Sequence, residues 1–128
     1  MAARLGWPTW IGVVVDDLER ARRFWEGIVG EPVTDTGPDY VQWEFGDGRT
    51  FELIERSDAP EYDRARFQVG FGVEDIRSAR QELIGLGAQP ITEIMDGEVS
   101  SWAYFRDPEG NVFEITQRPG LAPARPPG

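Results

Sequence analysis

The sequence predicts an α+β fold made of two tandem βαβββ modules. Three observations predict it: the chain repeats itself, each copy runs through the same order of strand and helix signals, and the length suits one domain. In the first half, Val15-Asp16-Asp17-Leu18 is followed by Ala21, Gly30, Pro32, Thr34 and Phe51-Glu52-Leu53. In the second, Val73-Glu74-Asp75-Ile76 is followed by Ala79, Gly87, Pro90, Thr92 and Phe113-Glu114-Ile115. The offsets 73−15, 75−17, 79−21, 90−32 and 92−34 all give 58, whereas 105−45 and 107−47 give 60 and 114−52 gives 62. That drift predicts one short insertion before the second Phe45-like position, in the second copy, and another inside the turn that follows it. At 128 residues the two copies are expected to share one domain, because about 50 residues alone bury too little surface to be stable.

Each element has its own local cause. Thr9 to Val15 is β-branched and strand-like, and Asp16-Asp17 supplies an N-cap for the helix that follows. Leu18, Ala21, Trp25 and Ile28 recur at helical spacing, Gly30 suits a left-handed C-cap, and Pro32 stands just beyond. Strands are predicted over Pro32 to Asp35, Tyr40 to Phe45 and Thr50 to Glu55, the last two joined by Gly46-Asp47-Gly48. The second copy opens with a strand from Phe67 to Val73 and an Asp75-capped helix with Ile76, Ala79, Leu83 and Leu86 on one face, then Gly87. Strands follow near Gln89 to Ile94, Ser100 to Arg106 and Val112 to Gln117, the last two linked by Asp107-Pro108-Glu109-Gly110-Asn111. Module one therefore spans about residues 7–56 and module two about 66–118, together a single domain of residues 1–118. The Pro/Gly-rich tail 119–128 is expected to be flexible.

Composition narrows the chemistry. With 28% charged and 40% hydrophobic residues the chain reads as globular, and a formal charge of −10 argues against nucleic acid and anionic membrane as partners. There is no His, no Cys and no Lys, which removes Ser–His triads, thiolate nucleophiles, Schiff-base lysines and His- or thiolate-ligated zinc. No apolar run approaches the ~18 residues of a spanning helix and no signal pattern opens the chain, so a cytoplasmic location is expected.

Strand alternation then sorts side chains by face. Ile11, Val13, Val15, Val41, Trp43, Phe45, Phe51 and Leu53 are expected beneath the first helix, and Val69, Phe71, Val73, Phe113 and Ile115 beneath the second. The opposite face collects Trp10, Gln42, Glu44, Glu52, Gln68, Trp102, Tyr104 and Glu114, an acidic surface with aromatic walls. A lone Glu44 on such a face is ordinarily just solvated. Glu52 and Glu114 differ because each sits in the same apolar frame in its own copy. Tyr40, Arg66 and Arg106 are candidates for the rim.

These letters resemble the vicinal oxygen chelate superfamily, which includes glyoxalase I, extradiol dioxygenases, fosfomycin-resistance enzymes and bleomycin-resistance proteins. The resemblance covers about Trp10 to Gln117. It rests most on Val15-Asp16-Asp17-Leu18 with Phe24-Trp25, and on Phe105-Arg106-Asp107-Pro108-Glu109-Gly110-Asn111 leading into Phe113-Glu114-Ile115. It implies a glyoxalase-like fold in which the modules form a cupped mixed sheet, and a homodimer. Metal-dependent members of the superfamily place His or Gln on the first strand of each module and Glu on the last. The matching positions here hold Trp10, Glu52, Gln68 and Glu114. Glu52, Gln68 and Glu114 could ligate a hard divalent ion, but indole has no lone pair to offer. The resemblance and this departure lead to a metal-free small-molecule-binding protein without cofactor, holding an aromatic or cationic ligand among Trp10, Gln42, Glu52, Gln68, Trp102, Tyr104 and Glu114. A divalent-metal-dependent lyase, isomerase or epimerase is the first alternative, and whether the chain is an enzyme stays open. A dimerisation or docking module whose cup is filled by its own side chains is the second.

Overall fold

A computed structural model describes residues 5–62 and 67–119. Arg66 and all but the first residue of the 119–128 tail lie outside the described residues. The chain forms two compact units, Trp10–Gln68 and a second from Val69 onward together with the residues before Trp10. The first contains β1 (Pro8–Val15, which begins just ahead of it), α1 (Leu18–Val29), β2 (Asp35–Thr36), β3 (Tyr40–Glu44), β4 (Thr50–Glu55) and a one-turn 3₁₀ helix (Pro60–Tyr62). Its strands lie in the order β2-β3-β4-β1, with β1 parallel to β4 and the other pairs antiparallel. The second repeats the plan with β5 (Phe67–Gly72), α2 (Ile76–Gly85), β6 (Gln89–Pro90), β7 (Met95–Asp96), β8 (Ser101–Arg106) and β9 (Val112–Gln117). Here β5 is parallel to β9, while β8 pairs antiparallel with β9, β6 and β7. Each module is a mixed sheet carrying one helix, the expected α+β arrangement.

The helices start and stop where the sequence says they should. Asp17 caps α1 by accepting the Arg20 N–H at 3.0 Å, and Gly30 ends it in the left-handed region at φ 73°. Asp75 caps α2 by accepting the N–H groups of Arg77 and Ser78. At the far end the Gly87 N–H reaches the Ile84 carbonyl at 3.1 Å and the Ala88 N–H reaches Leu83 at 3.0 Å, with Gly87 at φ 104°. These are the paired bonds of a Schellman turn. This turn corrects one expectation: Leu86 falls past the last helical residue and is 66% exposed, and Ala88 packs on the core in its place. On α1 the apolar stripe runs Leu18, Ala21, Trp25, Val29 rather than to Ile28, which is 59% exposed. From Trp25 both the third and fourth residues were apolar, and the fourth faces the sheet.

Two aromatic stacks fill equivalent places in the two cores. In the first, Trp43 stacks on Phe51 at 5.8 Å and Trp25 packs on the same ring at 4.9 Å, over Val13, Val41 and Leu53. In the second, Phe105 stacks on Phe113 at 5.6 Å, beside Ile76, Ala79, Leu83, Ala103 and Ile115. Phe71 meets Phe113 edge-on.

That equivalence revises the repeat. Trp43 pairs with Phe51 as Phe105 pairs with Phe113, and Gln42 pairs with Glu52 as Tyr104 pairs with Glu114. The offset is 62 throughout the hairpin (105−43, 104−42, 114−52), and the positive-φ turn glycines agree, 110−48. One four-residue insertion in the second copy, between Thr92 and Tyr104, therefore replaces the two expected. Phe45 aligns with Asp107 at the start of the turn: the Phe45 N–H donates to Arg49 O and the Asp107 N–H to Asn111 O. That position explains why Phe45 lies outside β3 and is exposed instead of sitting beneath α1. Ile11, also expected beneath the helix, is exposed as well.

The second strand of each module is shorter than expected. The strand read over Pro32 to Asp35 is β2, Asp35–Thr36, alone. The one read from Gln89 to Ile94 divides into β6 and β7. Pro90 has no N–H to give the ladder, and Ile91 and Thr92 both donate to the single Tyr104 carbonyl. Two residues facing one is the pattern of a bulge, which bends the strand away.

The corrected stripe yields a paired test by urea denaturation. Leu53→Ala, in the sealed core under α1, should cost about 2–5 kcal/mol, whereas Leu86→Ala should stay within about 0.5 kcal/mol.

Candidate functional site

In module one the face away from α1 is organised in rows across the strands. Asp35 pairs with Gln42, Gln42 with Glu52, and Glu52 with Gly12, so one row runs through β2, β3, β4 and β1. Side chains in register share a face. Thr50 lies beside Trp10 and Glu44 in the row below, and Ile54 beside Val14 and Tyr40 in the row above. Glu52 is thus held at the centre of the face by strand pairing alone.

Trp10 and Glu52 are brought into direct contact. Trp10 is two residues before Gly12 on the same strand and the same face, and its indole lies along the strand over Gly12. A Cβ at Gly12 would stand 2.4 Å from the indole Cη2 and Cζ2, so only glycine leaves room for the ring. The reach of the ring lets Nε1–H donate to Glu52 Oε1 at 2.7 Å. Trp10 is 7% exposed. Burial pushes the Glu52 carboxyl above the ordinary glutamate pKa, against the hydrogen bonds from Trp10 and Gln42, and the negative charges of Asp35 and Asp39 push it the same way. Tyr40 donates its hydroxyl to Asp35 at 3.0 Å, and this bond, more than the surrounding acidic charge, raises the phenol.

In module two the corresponding glutamate has different neighbours. Glu114 pairs with Tyr104 and with Gly70, the repeat partner of Gly12 at offset 58, and both Glu114 and Tyr104 are buried. The Tyr104 N–H donates to Thr92 Oγ1 at 3.0 Å. Trp102, half-buried, lies against Gly97, where a Cβ would come within 2.8 Å of its ring. Gln68 is 1% exposed; its Nε2–H donates to the Glu61 carbonyl while Oε1 has no hydrogen-bond partner.

The residues read from sequence thus fall into a Trp10–Glu52–Gln42 cluster in module one, a Tyr104–Glu114 register pair with Trp102 in module two, and the separate buried amide of Gln68. Glu44 is exposed at the end of β3, as expected of a solvated carboxylate. Arg106 closes its own hairpin, donating to the Gly110 carbonyl at 3.4 Å. Sequence reasoning missed Gly12, Asp35 and Asp39. Gly12 carried a signal, because Gly12 and Gly70 hold the constant offset. Asp35 carried none, since its place in the row depends on how the short segment before β3 pairs with Gln42. An open hollow beside the start of α1, lined by Val15, Asp16, Asp17, Arg20, Ala21 and Phe24, contains none of the expected site residues.

The donor set at Trp10 does not suit a metal ion. Its Nε1–H hydrogen occupies one of the two Glu52 carboxylate oxygens, and the indole itself offers a metal ion no lone pair. Among the described residues no group of three or more Asp or Glu side chains is placed to hold a metal ion, and no helix is long and apolar enough to cross a membrane.

Comparison with known proteins agrees with the module plan. A family model described as a glyoxalase-like domain matches residues 10–116. The chain belongs to the glyoxalase-like domain family. The resemblance to the vicinal oxygen chelate superfamily read from Val15–Leu18 and Phe105–Ile115 is therefore right. Among solved structures, this glyoxalase-like chain is similar to a Streptomyces coelicolor methylmalonyl-CoA epimerase variant in complex with 2-nitronate-propionyl-CoA. Identity is 16%, the match covers 91% of this chain and 100% of that one, and the TM-score is 0.70. Methylmalonyl-CoA epimerase from Mycobacterium tuberculosis matches at 17% identity over 87% of each chain with a TM-score of 0.68. A glyoxalase/bleomycin resistance protein/dioxygenase superfamily member from Vibrio splendidus matches at 17% identity, covering 89% of this chain and 97% of that one, with a TM-score of 0.63. At these identities the likeness establishes the glyoxalase-like fold. A sequence search of curated proteins finds no match.

Two predictions follow from the Trp10–Glu52 contact. Gly12→Ala should drive the indole off its seat at a cost of about 1–3 kcal/mol, and the Trp10 indole N–H resonance should move upfield as its bond to Glu52 breaks. The second concerns pH. Glu52 has a raised pKa in the folded state, so its stabilising share is fully present below the ordinary glutamate pKa and is lost as pH rises through the raised one. Measured against Glu52→Gln, the wild type should therefore lose relative stability as pH climbs through that window.

Proposed function

We propose that the chain is a metal-free small-molecule-binding protein of the glyoxalase-like family, taking a cationic aromatic ligand on the face that carries Glu52. The observation that carries this reading is the 2.7 Å bond from Trp10 Nε1 to Glu52 Oε1. It puts a hydrogen-bond donor where a metal would require a lone pair, and it demonstrates that the carboxylate accepts an aromatic N–H. Asp35 and Asp39 add negative potential to that face, and their effect on Glu52 would be reversed by a ligand's positive charge. The formal charge of −10 favours the approach of cations over anions. A homodimer belongs to the same proposal, because α1 leaves Phe24 and Ile28 exposed and a second copy would cover them.

A second reading, proton transfer next to a carbonyl, draws on Glu52. A carboxylate pushed up by burial has the character of a general base. The neighbours that are methylmalonyl-CoA epimerases make acyl-CoA thioesters the substrates to try. Charge weighs against it, since a chain with a formal charge of −10 repels the anionic phosphates of coenzyme A. Deuterium incorporation at the α-carbon of an acyl-CoA in D₂O would establish it.

Calorimetry with benzamidine and benzoate tests the first reading. Benzamidine should bind, benzoate should not, and Glu52→Gln should weaken benzamidine at least about tenfold, the loss expected for a hydrogen bond to a charged group. Protein soaked with Mn²⁺ or Ni²⁺ and then desalted should retain far less than one ion per chain. Stoichiometric retention, or tighter binding of benzoate than of benzamidine, would overturn the proposal.

A further inference from the structure

We propose that the indole of Trp10 is the resident occupant of a binding slot over Gly12, and that the ligand is a flat bicyclic nitrogen base that displaces it. The inference deepens the binding function proposed above and rests on it. The slot is described by four residues of module one: Gly12, Ile54, Glu52 and Gln42. Its floor is the Cα of Gly12, where even a methyl group would meet the ring at 2.4 Å. Ile54 Cδ1 bounds it at 3.3 Å from the same point. Its end is the Glu52 carboxylate, which accepts one in-plane N–H from the ring and is also hydrogen-bonded by the Gln42 side chain. The slot therefore has room over Gly12 for an aromatic ring, already holds a fused bicycle, and ends in an acceptor that recognises a ring N–H.

The occupant defines the ligand class. Indole brings one N–H and no charge, and so it engages one carboxylate oxygen. A fused ring carrying an N–C–N edge, as in a protonated 2-aminobenzimidazole, has the same outline and presents two in-plane N–H groups with a positive charge. Paired charge-assisted bonds of that kind are roughly twice as strong as neutral ones. A ligand of this class can outcompete the tethered indole on the chemistry of the slot itself. A flat ring without the donor edge cannot.

A resident competitor lowers the apparent affinity by the fraction of time the slot is open. Removing it should strengthen binding, the reverse of what a stacking platform would show. The test titrates 2-aminobenzimidazole, and benzofuran as a donor-free bicycle of similar outline, into wild type, Trp10→Ala and Trp10→Phe, each first checked for folding by circular dichroism. Trp10→Phe keeps a ring in the core and carries the test if Trp10→Ala fails to fold. Wild type should bind 2-aminobenzimidazole and shift the Trp10 indole N–H resonance. The folded Trp10 variants should bind it at least about tenfold more tightly, and benzofuran should bind them at least about tenfold more weakly than 2-aminobenzimidazole. Equal or weaker binding in the variants, with wild-type binding intact, would overturn displacement and leave the binding function standing. Equal affinity for benzofuran would overturn the donor requirement and with it the ligand class. Binding by the variants with none by wild type would make the indole a permanent filler and overturn both.

Discussion

The register of β4 between β1 and β3 is the constraint on which the candidate site depends. It sets Glu52 opposite Gly12 on one side and Gln42 on the other. A slip of one residue would send the carboxylate into the Val13–Trp43–Leu53 core and bring Leu53 or Phe51 out to the opposite face. The apolar cost of that exchange, at about 1.5–3 kcal/mol for each large side chain moved, fixes the register far more firmly than any contact Glu52 makes itself. The glutamate is thus placed by its neighbours Phe51 and Leu53. What it does is decided by the residues that the register brings beside it.

The two modules show how little has to change for that outcome to differ. Glu52 and Glu114 occupy equivalent positions between a glycine on the parallel strand and a polar residue on the antiparallel one. The polar residue is Gln42 in the first module and Tyr104 in the second. At the first-strand position Trp10 faces Gly12 and spends its N–H on Glu52, while Gln68 keeps an amide oxygen without a partner. A buried oxygen in that condition costs about 1–3 kcal/mol. Duplication supplied two copies of one frame, and substitution at one position per copy gave one glutamate an aromatic cover.

Much of the fold was legible because its causes are local. Asp17, Asp75, Gly30 and Gly87 act within one helical turn, and the alternation of Val13, Val41, Trp43 and Leu53 needs only the two-residue period of a strand. The errors lie where two local solutions were equally good. Ile28 and Val29 both stood at helical spacing from Trp25, and Leu86 continued a stripe that Gly87 had already ended. Phe45 looked like a core residue by alternation, yet the turn bond from its N–H to Arg49 takes it out of the strand. The site was legible as a set of residues on one face and not as a set of contacts. Nothing in the spacing of Trp10 and Glu52 says that the indole folds back over Gly12.

The sequence by itself determined the duplicated βαβββ plan, the helix caps, the covered and open faces of the strands apart from Ile11 and Phe45, and the position of a carboxylate in the same frame twice. Each of these follows from the periods of strand and helix and from the conformational preferences of single residues. The tertiary structure alone decided that Asp35, Gln42, Glu52 and Gly12 form one row and that the missing Cβ of Gly12 leaves room for a ring. It alone decided that Trp10 fills that space with its N–H on the glutamate. The reason is physical: register across four strands depends on the length of the connection before β3 and on which side chains seal the core. Neither can be read from any segment alone.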